Sequence, residues 1–409
     1  MSRLSSGAMP KADAGMSRKA AIVGIGETDH RALYRAAREK AHGCPPVSAE
    51  GLALAAFEKA LDDAGLERGD IDGLSVSLIY GGPTTDELAA QLGIDPAYRV
   101  TASGLMAGPL PMACAAIAEG RADTIAMVYA AASRSIGRQY GGKTYSGGEA
   151  GAATPTSYYY YHPWGWSSQA AHWALIAQRY LEVYGYDEAD LGAVAVQLRA
   201  NAAANPQAIM TTPMTRENYL ASRPIVRPLR LFDMCLVNDG AVCLIVRRGD
   251  KARDCTKPAI DVAGWGESRA RGSKLATLVC DRLAPQLRDA GAQALAMAGL
   301  DLAAIGHFEG YDPASIHLVN QIEGYGFLEA GEGLRAFREG KMAVGGSLPV
   351  NVAGGMMSGA YMHGWNLVTE AVRQLRHEAV GRQIAGLEAS MVSVAQTDVA
   401  HPLILTRAA

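Results

Sequence analysis

The thiols would be the strongest nucleophiles in this chain, and their spacing argues against their use. Cys44, Cys114, Cys235, Cys243, Cys255 and Cys280 form no Cys-x-x-Cys pair and no metal-ligand spacing, and most stand among aliphatic neighbours. Such cysteines read as reduced, buried thiols rather than a zinc or redox centre. Other groups able to do chemistry lie in glycine-rich segments: Gly310-Tyr311-Asp312-Pro313, Asn351-Val352-Ala353-Gly354-Gly355 and Ser358-Gly359-Ala360-Tyr361-Met362-His363-Gly364-Trp365-Asn366. A tyrosine or histidine in such a loop, taken alone, fits an ordinary packing contact as well as an acid or base. Backbone amides at Gly355, beside Gly354, and near Ser103 and Gly104 precede helical stretches, where helix N-termini favour developing negative charge and can hold an oxyanion. Glu323, in Asn320-Gln321-Ile322-Glu323-Gly324-Tyr325-Gly326, can reach the same cavity or serve as a solvated or capping carboxylate.

These groups need a scaffold, and the pattern of the chain repeats. Ala20-Ala21-Ile22-Val23-Gly24-Ile25-Gly26-Glu27 is an apolar strand ending in glycine, followed by an Ala/Leu helix closing at Ala64-Gly65-Leu66. Ile260-Asp261-Val262-Ala263-Gly264-Trp265-Gly266-Glu267 and a helix closing at Ala298-Gly299-Leu300 restate it. Each half continues with a strand, a glycine-rich turn and an amphipathic helix, expected over 103–119 and 351–376. Alternating strands and helices imply a layered α/β architecture. Four segments follow: a disordered extension at 1–18, an N-terminal half at 19–134 and 233–250, a loop subdomain at 135–232, and a C-terminal half at 251–409. The loop stretch reads as irregular and rich in Gly, Tyr, Pro and Asn, and includes an aromatic run from Tyr158 to Trp166. Loops this long are usually functional. Large flat apolar walls would suit a bulky ring substrate, although a self-packed loop or subunit contact explains the run equally well.

At 409 residues, 49% hydrophobic and 19% charged with a net charge of -3, the chain reads as a globular protein without bias toward nucleic acid or anionic membrane. No stretch approaches 18 uninterrupted apolar residues, and the polar first residues lack a signal-peptide core, so a cytoplasmic protein is expected.

Two related halves around a loop subdomain resemble the thiolase superfamily, in particular its sterol-carrier, lipid-transfer-protein-like branch. Arg199-Ala200-Asn201-Ala202-Ala203-Ala204-Asn205-Pro206, Pro228-Leu229-Arg230-Leu231-Phe232-Asp233, Asn238-Asp239-Gly240-Ala241 and Asn351-Val352-Ala353-Gly354-Gly355 match that family's segments in order, over about residues 18–407. The resemblance implies a thiolase fold: two pseudo-repeated βαβαβ halves in an αβαβα sandwich with an inserted loop subdomain.

The catalytic landmarks depart from the family. Its nucleophilic cysteine opens the helix expected at 103–119, where this chain offers Ser103 by one count and Thr101 by another. Cys114 lies further along that helix and reads as core. Tyr361 stands where the family has the histidine of a Gly-His-Pro motif, Gly310-Tyr311-Asp312-Pro313 meets its His-Asp-Cys-Phe motif so that a tyrosine again replaces a catalytic group, and Ser393-Val394-Ala395-Gln396-Thr397 replaces its Cys-Gly motif. The lipid-transfer-protein-like acyl-CoA aldolases of steroid side-chain degradation resemble this pattern, with two catalytic tyrosines at the positions matched by Tyr311 and Tyr361.

That resemblance implies a CoA-dependent aldolase performing retro-aldol cleavage of a 3-hydroxyacyl-CoA, one with a steroid or other bulky side chain, to a ketone or aldehyde plus propionyl- or acetyl-CoA. A thiolase needs a nucleophile to catch an acyl fragment. A retro-aldol step releases a neutral carbonyl, and needs only a base for the hydroxyl proton, stabilisation of the thioester enolate, and an acid at carbon. Tyr311 and Tyr361 form the acid/base pair with the order of roles open, and His363 is the donor that orients or polarises a tyrosine. A phenol of pKa near 10 needs activation to act as a base, which a charged Asp312 close by would oppose. Arg199, Arg223 and Arg227 can meet CoA phosphates, but solvated arginines are the default. No tightly bound cofactor is expected, coenzyme A being part of the substrate, and no metal. The resemblance further implies a homodimer and a small OB-fold, zinc-ribbon partner subunit, together a heterotetramer. The competing readings are a non-catalytic acyl-CoA or lipid-binding subunit and an atypical, partner-dependent acetyl-CoA acyltransferase.

Overall fold

A computed structural model describes residues 9–39, 47–78, 81–102, 106, 108–138, 163, 166, 168–270, 283–396 and 399–408. Nine strands form its main sheet: β1 (Ala20–Glu27), β2 (Gly73–Ser77), β3 (Tyr98–Ala102), β4 (Thr124–Ala132), β5 (Asp239–Arg248), β6 (Ile260–Trp265), β7 (His307–Gly310), β8 (Ala389–Ser393) and β9 (Pro402–Arg407), in the order β7-β8-β9-β6-β1-β5-β4-β2-β3. Read outward from the central β1/β6 pair, the two sides match. β1 meets β5 and β5 meets β4 antiparallel, then β2 and β3 follow in parallel. Likewise β6 meets β9 and β9 meets β8 antiparallel, β7 follows in parallel, and a parallel bridge from Phe308 to Val350 marks the fifth place.

Period-two alternation sorts the strand residues into layers. Ile125, Met127 and Tyr129 of β4, Val242, Leu244 and Val246 of β5, Val262 of β6, and Leu403 and Leu405 of β9 share one cluster with helices α3 (Pro109–Ala118) and α8 (Trp365–Arg376). The alternate residues Ala126, Val128, Ala241, Cys243 and Ile245 face α1 (Ala49–Ala64) and α2 (Thr85–Leu92). On the other half Ala263 and Ile404 face α6 (Leu283–Ala298) and α7 (Ser315–Tyr325). The stack therefore runs helix, strand, helix, strand, helix.

The glycines of the repeat have a shared reason. A Cβ on Gly24 or Gly26 would lie 2.3 or 2.0 Å from carbonyl oxygens of α1, and one on Gly264 or Gly266 would lie 2.2 or 2.1 Å from those of α6. Each half thus seats its first helix directly on backbone.

Three expectations change. Residues 9–18, expected to be disordered, pack on the middle layer through Met9, Ala12 and Met16; the Trp265 indole donates to the Pro10 carbonyl at 2.9 Å, and the Ser17 hydroxyl to that of Ala263 at 2.7 Å. A few apolar side chains in a polar stretch suffice to dock it. The 135–232 segment is not irregular throughout, because α4 (Gln169–Tyr184) and α5 (Glu188–Ala203) occupy its second part, with Asp187 capping α5. Its aromatic run lies outside the described residues except Pro163 and Trp166, whose indole donates to His172 Nδ1 at 2.9 Å. Finally, the helix expected over 351–376 starts only at Trp365. Positive φ at Asn351 (45°), Gly354 (95°), Gly355 (57°), His363 (51°) and Gly364 (87°) folds the preceding residues into an irregular loop containing one wide helical turn, Gly355–Gly359.

Candidate active site

Tyr311 follows the end of β7, where its amide donates to the Ser393 carbonyl at 2.8 Å and its own carbonyl accepts from Gln321 at 2.7 Å. Tyr361 lies in the irregular loop, its amide donating to Asn238 Oδ1 at 2.7 Å. These two backbone anchors bring the hydroxyls to 3.0 Å of each other. The chain of contacts continues: the Tyr361 hydroxyl lies 2.9 Å from His363 Nε2, and His363 Nδ1 lies 2.6 Å from the Tyr129 hydroxyl on β4. Tyr129 is 1% exposed, edge-on to His363 and stacked on Trp365 at 6.1 Å. Burial, reinforced by the Arg138 guanidinium, pushes His363 down to about 3, so its imidazole is neutral near pH 7.

The loop is held from several sides by polar groups. Asn351 clasps Gly310 through both side-chain atoms, accepting at 2.7 Å and donating at 2.9 Å. Asn201 on α5 donates to the Val350 and Asn351 carbonyls, Asn205 donates to that of Ala353, and Arg199 Nε donates to the Ser358 hydroxyl at 3.1 Å. Arg199 is thereby buried as a brace. Arg223 and Arg227 are exposed, Arg227 facing Glu188 at 3.7 Å.

The expected site residues separate into groups. Tyr311, Tyr361 and His363 come together. Ser103 and Gly104 lie outside the described residues. Gly355 sits in the loop, but the amides that follow it, those of Met356 and Met357, already donate to Asp312 at 2.9 to 3.1 Å. A Cβ on Gly355 would lie 2.3 Å from Asp312 Oδ2, so this glycine admits the chain's own carboxylate to a nest of amides rather than leaving those amides for a substrate oxyanion. Burial pushes Asp312 well above the ordinary carboxylate range, with the amides opposing it.

Glu323 is a correction. It accepts from the Tyr180 hydroxyl at 2.5 Å and from the amides of Gly331 and Gly333 at 3.0 and 2.7 Å, pinning α4 and a distant turn to α7 instead of joining the tyrosines. Its helical phase, which the segment's glycines did not reveal, turns it outward from the site. Cys114 is in the core, 2% exposed, its thiol pushed up to about 12 by burial.

Sequence reasoning missed two side chains. Tyr129 was legible in retrospect: it is the one large polar-tipped residue in Thr124-Ile125-Ala126-Met127-Val128-Tyr129-Ala130-Ala131-Ala132, in phase with Ile125 and Met127. His317 stands edge-on to Tyr311, 6.5 Å between ring centroids, and Trp173 of α4 packs on it at 4.2 Å. His317 Nε2 donates to the Ala395 carbonyl at 2.9 Å, leaving Nδ1 a buried acceptor without a partner among the described residues, and burial lowers its pKa to about 4. Nothing local in the sequence marks it.

Such an arrangement can pass a proton directly between the Tyr311 and Tyr361 hydroxyls beside a neutral imidazole, and among the described residues it offers no thiolate. Comparison with known proteins points the same way. Residues 276–400 match the family described as thiolase C-terminal domain-like. A 17-hydroxy-3-oxo-4-pregnene-20-carboxyl-CoA lyase of Mycobacterium tuberculosis is 34% identical over 387 residues, 92% of this chain and 96% of that protein. A steroid side-chain-cleaving aldolase of Thermomonospora curvata is 32% identical over 380 residues, 89% and 92% of the two chains. Among solved structures, the Ltp2-ChsH2(DUF35) aldolase superimposes with a TM-score of 0.84 at 30% identity, covering 96% of this chain and 98% of that one.

Proposed function

The chain belongs to the thiolase-fold family of carbon–carbon lyases that these aldolases represent, and from that premise we propose that it cleaves a 3-hydroxyacyl-CoA by a retro-aldol step at Tyr311 and Tyr361. The observation that carries this reading is the pair of hydroxyls 3.0 Å apart, one of them 2.9 Å from a neutral histidine, at two positions where the thiolase pattern has other catalytic groups.

The chemistry balances without any co-reactant. One phenolate takes the proton of the 3-hydroxyl. The C2–C3 electron pair passes to C2 as that bond breaks, so that C3 leaves as a ketone or aldehyde and the thioester becomes an enolate. A phenol then returns a proton to C2, giving the shortened acyl-CoA. Two phenols within hydrogen-bond reach can pass the proton gained in the first step to the one lost in the last. His363 stands beside Tyr361 without introducing charge.

The substrate reading extends from the relatives' names to a bulky, ring-bearing side-chain acyl-CoA such as a steroid, with acetyl- or propionyl-CoA as the short product. The same reading includes a cytoplasmic homodimer working with an OB-fold, zinc-ribbon subunit; its support is the DUF35 partner named with the solved aldolase. Among the described residues no helix is long and apolar enough to cross a membrane.

The test is cleavage of a panel of branched, ring-bearing 3-hydroxyacyl-CoAs by the chain with its partner subunit, comparing wild type with Tyr311→Phe and Tyr361→Phe. Ketone and short acyl-CoA formed by wild type and lost in both variants is the expected result. Tight acyl-CoA binding without turnover, indifferent to either hydroxyl, would instead establish a binding subunit.

A further inference from the structure

A neutral imidazole carries one N–H and one lone pair, so the hydroxyls at its two nitrogens cannot play the same part. If the Tyr129 hydroxyl donates to Nδ1 at 2.6 Å, the N–H sits on Nε2 and points at the Tyr361 oxygen 2.9 Å away. If Tyr129 accepts, Tyr361 must donate to Nε2 and its proton is locked into that bond. Only the first arrangement lets both His363 and Tyr311 donate to the Tyr361 oxygen, and donors to an oxygen favour its ionised form.

We propose that Tyr129 is a positioning residue that, by donating to Nδ1, fixes His363 as the Nε2–H tautomer and so makes Tyr361 the phenol that ionises first and accepts the substrate proton. This rests on the retro-aldol reading for its chemical purpose, but the tautomer and the ionisation are properties of the resting protein. The fold supports the assignment. Tyr129 lies on β4 in the N-terminal half, buried and stacked on Trp365, whereas His363 and Tyr361 belong to the C-terminal half. A strand therefore holds the Tyr129 oxygen at Nδ1 of an imidazole in an irregular loop, and the Met106 amide holds the His363 carbonyl from the same half at 3.5 Å.

The charged and titratable groups around the relay are few among the described residues. Arg138 acts on His363, favouring its neutral form. His317 of α7 faces Tyr311 and is neutral at working pH. Asp312 turns its carboxyl to the Met356 and Met357 amides, and Cys235, packed on the same core, has its thiol pushed up to about 12.

The experiment is a tyrosinate titration of the intact protein, by ultraviolet difference absorbance and by NMR of ring-labelled tyrosine, on wild type, Tyr129→Phe and Tyr361→Phe. Wild type is expected to show one tyrosine ionising ahead of the rest, absent in Tyr361→Phe and moved about one pH unit upward in Tyr129→Phe. In the cleavage assay the acidic limb of kcat/KM moves by the same amount, and kcat falls about tenfold, the equivalent of one pKa unit, with KM little changed. Tyr129→Phe combined with His363→Asn is expected to lose little more than His363→Asn alone. A wild type without an early tyrosinate, or a Tyr129→Phe variant that melts earlier but keeps the wild-type ionisation, overturns the inference. The cleavage panel fails separately if the aldolase reading is wrong, because the titration needs no substrate.

Discussion

Two groups of buried or part-buried tyrosines in this molecule lie in different surroundings. Tyr180 and Tyr219 each donate to a carboxylate, Glu323 at 2.5 Å and Asp233 at 2.7 Å, and burial together with that neighbouring charge pushes both phenols far above their ordinary range. Tyr311, Tyr361 and Tyr129 are joined to one another and to His363 by neutral contacts, hydroxyl to hydroxyl and hydroxyl to imidazole. A carboxylate can only accept, so it holds a phenolic proton in place and turns a tyrosine into a tether. A hydroxyl or neutral imidazole can donate or accept, so the direction of the bond, and with it the place of the proton, is open to change. The contrast separates tyrosines that bind the fold together from tyrosines equipped for proton transfer, and it explains why Glu323 belongs with the tethers.

The largest expected effect tests the second group: Tyr361→Phe and Tyr311→Phe each lower cleavage about 10³-fold in steady-state assays, the scale of losing an acid/base group, with little change in thermal stability. Converting one kind of tyrosine into the other is the next break. His363→Asp gives Tyr361 the surroundings of Tyr180 and is expected to cost activity about tenfold more than His363→Asn, whose residue suits the positive φ without adding charge. Gly355→Ala forces a Cβ to 2.3 Å from Asp312 at φ 57° and displaces that carboxyl from its amides, so urea unfolding should show a loss of about 3 kcal/mol.

The pH dependence sharpens the claim that His317 stays uncharged beside Tyr311. Its folded pKa, lowered to about 4, lies below the unfolded value near 6.5, so the unfolded chain takes up the proton first. The stability it confers is therefore complete above pH 6.5 and is lost as pH falls toward 4, at roughly 1.4 kcal/mol per unit. Wild type should accordingly lose its advantage over His317→Gln across that window in chemical denaturation. The smallest effect belongs to a tether: Tyr180→Phe should cost about 1 kcal/mol in unfolding free energy and leave cleavage per folded molecule unchanged, since Glu323 keeps its two amide donors.

Much of this was legible locally. The paired glycines, the cap at Gly65 and the two apolar strands announced the repeated halves, because close helix-on-strand packing and left-handed caps constrain residue type at fixed spacing. Tyr311, Tyr361 and His363 could be singled out by resemblance, and their meeting at hydrogen-bond distance was not readable from their separation in the chain. The docked segment 9–18 and the broken helix before Trp365 were misread, the first because a few apolar contacts outweigh polar composition, the second because tight tertiary packing supports backbone conformations that periodicity does not encode.

The sequence by itself determined the layered α/β repeat and the absence of a cysteine where thiolase chemistry would place one, since both follow from residue type and order. The tertiary structure alone decided which tyrosines are tethers and which form the relay. Tyr129 comes from one half and Tyr361 with His363 from the other, Glu323 is claimed by Tyr180, and Asp312 by the amides beyond Gly355. Whether a phenol keeps or yields its proton depends on the partner that packing brings within 3 Å, and that partner comes from strands and helices far apart in the chain.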